Sequence, residues 1–333
     1  MKTEGKICAV CISEKRGIQK HNIRSGVLLK DWGLEGDAHA GNWHRQVSLL
    51  SRERIDEFNR ELRAVGMELS EGDFGENLQI DGIDPGQLPV GTLLRIRGEE
   101  GPLLRISQIG KDCHSHCAIF EKVGKCIMPK VGAFSEVLEG GNVSGGDPVF
   151  IERALERYPF PFQAAVITLS DSASAGRRED LSGPKISERL TENGYQLRET
   201  LLLPDGREAL EKALIRLADQ RQLDLILTSG GTGCGIHDLT PEATLAVADR
   251  IVPGIAEAMR AGSMAITKHA MLSRAVSVIR GKSLIINLPG SPKACMECMD
   301  IFMDAIPHAI HLLRDEVRDC AREPELGADL RTI

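Results

Sequence analysis

Aromatic residues are scarce: 8 Phe, 2 Trp and 2 Tyr in 333 residues. A basic excess is also missing, since 41 Lys+Arg stand against 48 Asp+Glu, a formal net charge of -7. Nucleic-acid surfaces need cations and often stack bases on rings, so both shortages argue against that class. No apolar run is long enough to span a membrane. The opening MKTEGKICAVCISEKRG interrupts any apolar core with charge, so no signal peptide and a cytoplasmic location are expected. The 9 Cys are odd in number and scattered, which speaks for reduced thiols rather than a disulfide framework.

What is present divides the chain in two, as its length suggests. In the first half, short segments lie between glycines: 6–12, 47–50, 78–80, 92–97 and 103–109. One helix is expected over 52–65, with Ile55, Phe58, Leu62 and Val65 on one face. This is the pattern of a mostly-β barrel. A stiff connector follows at 153–163, where YPFPF carries two prolines.

In the second half, strands at 164–169, 196–203, 225–229 and 283–288 alternate with helices at 184–193, 207–220, from 241, and 254–265, with a last long one after PGSP. That alternation predicts a mainly parallel sheet flanked by helices. A polar tail fills 321–333.

The stretch DLILTSGGTGCGIHD, Asp224 to Asp238, is the most chemical in this half. A buried strand runs into Gly230, Gly231, Thr232 and Gly233, then reaches Asp238. Close-set glycines let bare N–H groups approach phosphate oxygens. Thr240-Pro241 reads as an N-cap followed by the first helical residue. The spacing does not fit a P-loop. Ser170-Asp171-Ser172, Asp205 and the turn holding Gly290 and Ser291 also follow strands, so they gather on one sheet edge. Two carboxylates beside a glycine cradle favour a phosphate-and-metal site. Cys295 and Cys298 share a helix face and read as packing.

Two stretches of the first half look chemical as well. GLEGDAHAGNWHRQVSLL packs Asp37, His39, His44 and Arg45 together, and DCHSHCAIFEKVGKC holds Cys113, His114, His116, Cys117 and Cys126. The second set could hold structural zinc by ligand type, although its spacing matches no standard finger.

These two stretches, with FGENL, LPVGTLLRI, GKCIMP and GGNVSGGD, resemble the MOSC domain, taken here as residues 1–152. The resemblance implies a β-rich barrel and a cysteine that holds sulfur or the molybdenum cofactor, at Cys113. Relatives often have proline where this chain has Asp112.

VITLSDSASAG, DLSGP, LLPD, LILTSGGTG, HDLTPEAT, AMLSRAVSVIRG and LIINLPGSPKA resemble the molybdopterin adenylyltransferase family, over about 164–320. This resemblance implies ATP and molybdopterin as substrates, Mg²⁺ as cofactor, and catalytic, metal-binding carboxylates at Asp205 and Asp238. It places Ser170, Asp171, Gly230 to Gly233, Ser263, Ser273, Arg274, Gly290 and Ser291 at the substrates. It also implies a homo-oligomer, a trimer, with molybdenum-inserting proteins or molybdoenzymes as partners. Relatives often carry arginine at the position of His237. The competing reading is a molybdopterin-binding scaffold without turnover, with a metal-stabilised docking module ahead of it.

Overall fold

A computed structural model describes residues 4–64, 66–111, 124–152 and 161–314. The chain divides into two compact units: Met1–Pro161 with Ile215–Gln222, and Phe162–Leu214 with Leu223–Ile333.

The first unit is a closed barrel. Its strands are β1 (Glu4–Ile12), β2 (Val47–Ser51), β3 (Leu78–Asp81), β4 (Leu93–Ile96), β5 (Leu103–Ile109), β6 (Ala133–Glu139) and β7 (Pro148–Glu152). They pair in the ring β1-β7-β4-β5-β6-β2-β3 and back to β1. Every pair is antiparallel except β2 with β3. Ile7, Leu49, Leu78, Leu94, Leu104 and Val149 belong to its buried core. Closure removes the sheet edges that would otherwise remain unpaired.

Helix α1 (Arg52–Arg63) starts where Ser51 accepts from the Arg54 N–H. Glu53 lies in its first turn and Arg60 and Arg63 in its last, as the helix dipole favours. Ile55, Phe58 and Leu62 pack with Leu50, Phe74 and Phe134 in a second cluster. Val65, expected to extend this helix, is outside the described residues, as are most of the connector and the tail.

The second unit holds a six-stranded sheet. Its strands are β8 (Gln163–Leu169), β9 (Gln196–Leu203), β10 (Leu225–Ser229), β11 (Arg250–Ile251), β12 (Ser277–Arg280) and β13 (Ser283–Leu288), in the order β9-β8-β10-β13-β12-β11. The first four run parallel. β12 is antiparallel to β13, and β11 to β12. Strands β8, β10 and β13 are buried along their whole length, which explains their apolar centres, with polar residues at or near the ends.

The helices are α2 (Ser182–Glu192), α3 (Arg207–Ile215), α4 (Thr240–Ala246), α5 (Pro253–Met264), α6 (Pro292–Phe302) and α7 (Ile306–Leu313). Two expectations change. The helix expected over 207–220 is α-helical only to Ile215 and continues as a π-turn, Arg216–Gln220. The long last helix is interrupted at Met303–Ala305.

The sheet is tied off at its start. Asp224 accepts from the Gln163 N–H at 2.7 Å and holds Arg314 through both oxygens, at 2.7 and 2.6 Å. Arg314 also lies 4.9 Å over the Phe162 ring. Among the described residues, no helix is long and apolar enough to cross a membrane.

Candidate active site

All four parallel strands end on one edge of the second sheet. The pairings Leu169↔Leu203 and Thr168↔Ser229 bring the segments after β8, β9 and β10 side by side. After β8, Ser170 caps a short helical turn by accepting from the Ala173 N–H at 3.2 Å. Asp171 and Asp205 then lock together. The Asp171 N–H donates to Asp205 Oδ2, and the Asp205 N–H to Asp171 Oδ1, both at 3.0 Å. One oxygen of each carboxylate is left without a protein partner among the described residues.

The glycine loop after β10 is held by its carbonyls. Gly230 O accepts from the Thr240 hydroxyl at 2.9 Å, and Gly231 O from the Thr240 N–H at 3.1 Å. Thr232 O accepts from the Arg274 N–H at 2.9 Å, and Gly233 O from Arg274 Nε at 2.7 Å. In a trans peptide the C=O and the following N–H point in opposite directions. Fixing the carbonyls on the protein side therefore turns the next N–H groups away from it. Among the described residues, the N–H groups of Gly231, Thr232 and Gly233 have no protein acceptor. Free amides gathered in one turn are the kind of backbone group that can receive an anion.

Asp238 folds back over this turn, its Oδ2 accepting from the Gly235 N–H at 2.7 Å. A Cβ on Gly233 would sit 2.9 Å from that oxygen, so the carboxylate needs the bare backbone. Thr240 corrects one expectation. It is the first residue of α4 rather than its N-cap, and no side chain caps that helix. Its hydroxyl is spent on Gly230 instead.

A cavity of about 280 Å³ opens beside the loop. Thr232, Gly233, Ser263 and Ser273 line it, with Arg260 and His269 as polar additions that the sequence did not single out. Arg260 is fixed by the Ala275 carbonyl at 2.9 Å. Gly290 is joined to the same edge, its carbonyl accepting from the Ser182 hydroxyl at 2.9 Å. Ser182 follows Asp180, whose Oδ1 accepts from the N–H groups of Ser182 and Gly183, both at 3.0 Å. Ser291 precedes α6 and its exposed hydroxyl makes no cap bond. His237 is exposed on the loop. Arg274 is absent from the cavity wall and bonds the loop itself.

Cys295 and Cys298 sit in the hydrophobic core of the sheet, as packing residues should. Burial pushes the Cys295 thiol up to about 11, with a hydrogen bond to Ser229 opposing it.

Among the described residues, no three His, Cys, Asp or Glu side chains are placed to hold a metal ion. Mg²⁺ in phosphate chemistry is held by one or two carboxylates, with water and substrate phosphates filling its shell. Asp171, Asp205 and Asp238 are hard oxygen donors of that kind.

In the first unit, a cavity of about 200 Å³ is lined by Lys20, His39, Trp43, Arg45, Lys111 and Phe134, among others. Asp37 lies below it, fully buried, accepting from Lys20 Nζ at 2.8 Å and from the Ser13 N–H at 3.0 Å. Burial alone would raise this carboxyl, but the Lys20 ammonium and the N–H donors hold it below the usual range. His44 is turned to Gln108 at 2.9 Å. Lys20 was missed in the sequence because it stands 17 residues before its partner, outside the stretch that drew notice. Cys113, with Asp112, His114, His116 and Cys117, is outside the described residues.

Family comparison agrees with this division. The MOSC domain family model matches residues 36–150, and the model described as a probable molybdopterin binding domain matches residues 165–308. A molybdopterin adenylyltransferase of Helicobacter pylori is 45% identical over 150 residues, covering 44% of this chain and 85% of that protein. One of Escherichia coli is 40% identical over 181 residues, covering 50% of this chain and 91% of that protein. The solved structure of the molybdopterin biosynthesis enzyme MoaB from Thermus thermophilus is 42% identical and covers 46% of this chain and 97% of that one, with a TM-score of 0.45. By its second unit the chain belongs to the molybdopterin adenylyltransferase family, and it carries a MOSC domain ahead of that unit.

Proposed function

We propose that the second unit joins molybdopterin to AMP. A phosphate oxygen of molybdopterin attacks the α-phosphorus of ATP, one P–O bond forms, the bond to the β-phosphate oxygen breaks, and pyrophosphate leaves. The observation that carries this reading is the loop whose Gly231, Thr232 and Gly233 N–H groups are free while its carbonyls are tied down. Such amides need no reorganisation to stabilise charge on a transferring phosphoryl group. Thr232, Gly233, Ser263 and Ser273 would seat the pterin end in the adjoining cavity. The Asp171–Asp205 pair and Asp238 would orient the nucleotide phosphates, with Gly290 and Ser291 at the same edge. Mg²⁺ would be held by Asp205 and Asp238 together with the phosphates, and supplies charge neutralisation between two polyanions.

The first unit would handle sulfur or the molybdenum cofactor through Cys113. In support, Lys111, two residues earlier in sequence, lines the cationic cavity of that unit. A cytoplasmic homo-oligomer belongs to the same reading; Ile236, Ile251 and Met271, 85%, 61% and 60% exposed, are apolar surface that a second copy would cover.

The test is incubation with molybdopterin, ATP and Mg²⁺, measuring pyrophosphate and the mass of the product. Asp238→Asn is expected to abolish turnover while molybdopterin still binds. Binding without turnover by the unaltered protein would assign a scaffold instead.

A further inference from the structure

Arg274 belongs to a motif that resemblance places at the substrate, yet its guanidinium is turned the other way. Ser273 and Ala275 line the 280 Å³ cavity and Arg274 between them does not. Its Nε donates to Gly233 O at 2.7 Å and its Nη2 to Asp238 O. Its Nη1 and Nη2 both reach the Glu242 carboxylate, the second at 3.3 Å. Its own backbone N–H holds Thr232 O at 2.9 Å. One side chain thus grips both ends of the turn from Gly233 to Asp238, and a carboxylate in the first turn of α4 holds that side chain flat.

We infer that Arg274 and Glu242 are a positioning pair for adenylyl transfer: Glu242 orients the guanidinium, and the guanidinium, through Gly233 O and Asp238 O, sets the direction of the Cys234 amide and the seat of Asp238. The inference rests on the function proposed above. Peptide planarity supplies the link. With Gly233 O drawn to the guanidinium, the Cys234 N–H must face the opposite way, while Thr232 O, held by the Arg274 backbone N–H, turns the Gly233 N–H likewise. The fork geometry explains why arginine is used, since an ammonium cannot bridge two carbonyls and a carboxylate in one plane. The two side chains are 37% and 39% exposed, so the pair contributes little to folding and much to aim.

The test uses the full chain and pyrophosphate release, with Glu242→Gln, Arg274→Lys and the double variant. Each single change is expected to lower kcat by about 10- to 100-fold, the loss seen when a reacting geometry slips by about 1 Å. KM for molybdopterin should move less than about threefold, because uniform binding is untouched. Residues acting as one unit are non-additive, so the double variant should be no slower than Arg274→Lys alone. Melting temperatures should match the unaltered protein. The inference is overturned if Glu242→Gln turns over normally while Arg274→Lys raises KM, which would make Arg274 a substrate contact. It is also overturned if kcat losses track lowered melting temperatures. An unaltered protein that releases no pyrophosphate overturns the adenylyl-transfer reading and this inference with it.

Discussion

Gly230→Ala tests whether the glycine loop is a built surface or only a tight turn. Gly230 has φ of +103°, a backbone region that side chains rarely tolerate. A Cβ there would lie 2.4 Å from Leu169 O. That oxygen is backbone, on the last residue of β8, which is paired with Leu203 of β9, so it yields less readily than a side-chain atom would. Strain at such a φ costs about 1–3 kcal/mol, and forcing a methyl into a filled space about as much again. The sum is about 2–6 kcal/mol, which in a unit of this size lowers its melting temperature by roughly 10 °C. Gly290→Ala is the control on the facing strand end. Its Cβ would meet only Gly230 Cα, at 3.5 Å, which is ordinary contact. Calorimetry of both variants reads the difference in stability, and pyrophosphate release by Gly230→Ala is compared with that of the unaltered protein. Gly230→Ala should melt well below Gly290→Ala and lose about 100-fold or more in turnover as the amides are displaced. Equal melting and equal turnover would refute the reasoning.

Asp205→Asn keeps an acceptor for the Asp171 N–H and removes a charge, so the fold should hold while turnover collapses and more Mg²⁺ is needed for half-maximal rate; near-normal rates at ordinary Mg²⁺ would remove Asp205 from the site. Asp224→Asn breaks a pair whose side chains are 7% and 14% exposed and should cost about 3 kcal/mol, a drop of roughly 6–10 °C measured by calorimetry. Glu76→Gln should make the first unit less sensitive to alkali. Burial raises the Glu76 carboxyl, whose Oε1 accepts from the Gly72 and Gln79 donors while Oε2 is buried without a partner. A carboxyl raised on folding stabilises fully below its unfolded value of 4.5, and that stability is lost as pH climbs towards the folded value. The loss is up to about 1.4 kcal/mol per pH unit. Denaturation midpoints of the two proteins should therefore diverge as pH rises above 4.5, with the variant ahead; parallel curves would show that folding leaves this carboxyl unperturbed.

The parts legible in the sequence are those in which one physical demand writes itself on neighbouring residues. Strands β10 and β13 are covered on both faces, so they appear as apolar runs. The loop after β10 turns through positive φ at Gly230 and Gly231 with no room for a Cβ, so it appears as glycine. Five barrel strands were visible one by one and their spacing predicted a barrel, but Ala133–Glu139 and Pro148–Glu152 were not seen, nor which strands close the ring. Closure depends on Glu4–Lys6 pairing with Pro148–Phe150, and nothing local to either segment encodes the other. The same limit governs the site. Asp171 and Asp205 each read as an ordinary turn residue, and only the parallel register of β8 and β9 makes each accept the other's N–H.

Thr240 shows how a correct local signal can mislead. A threonine before proline has the chemistry of a cap, and its hydroxyl does satisfy backbone, but the backbone it satisfies is a carbonyl ten residues earlier. Arg274 is the converse case. Its motif pointed to the substrate, and the structure shows its guanidinium on the Gly233 and Asp238 carbonyls, because a guanidinium can serve a phosphate or a row of carbonyls equally well. The choice was made by the glycine loop. Those carbonyls must be tied behind it if its amides are to face a ligand, and an arginine with five donors in one plane is the side chain that can tie several at once.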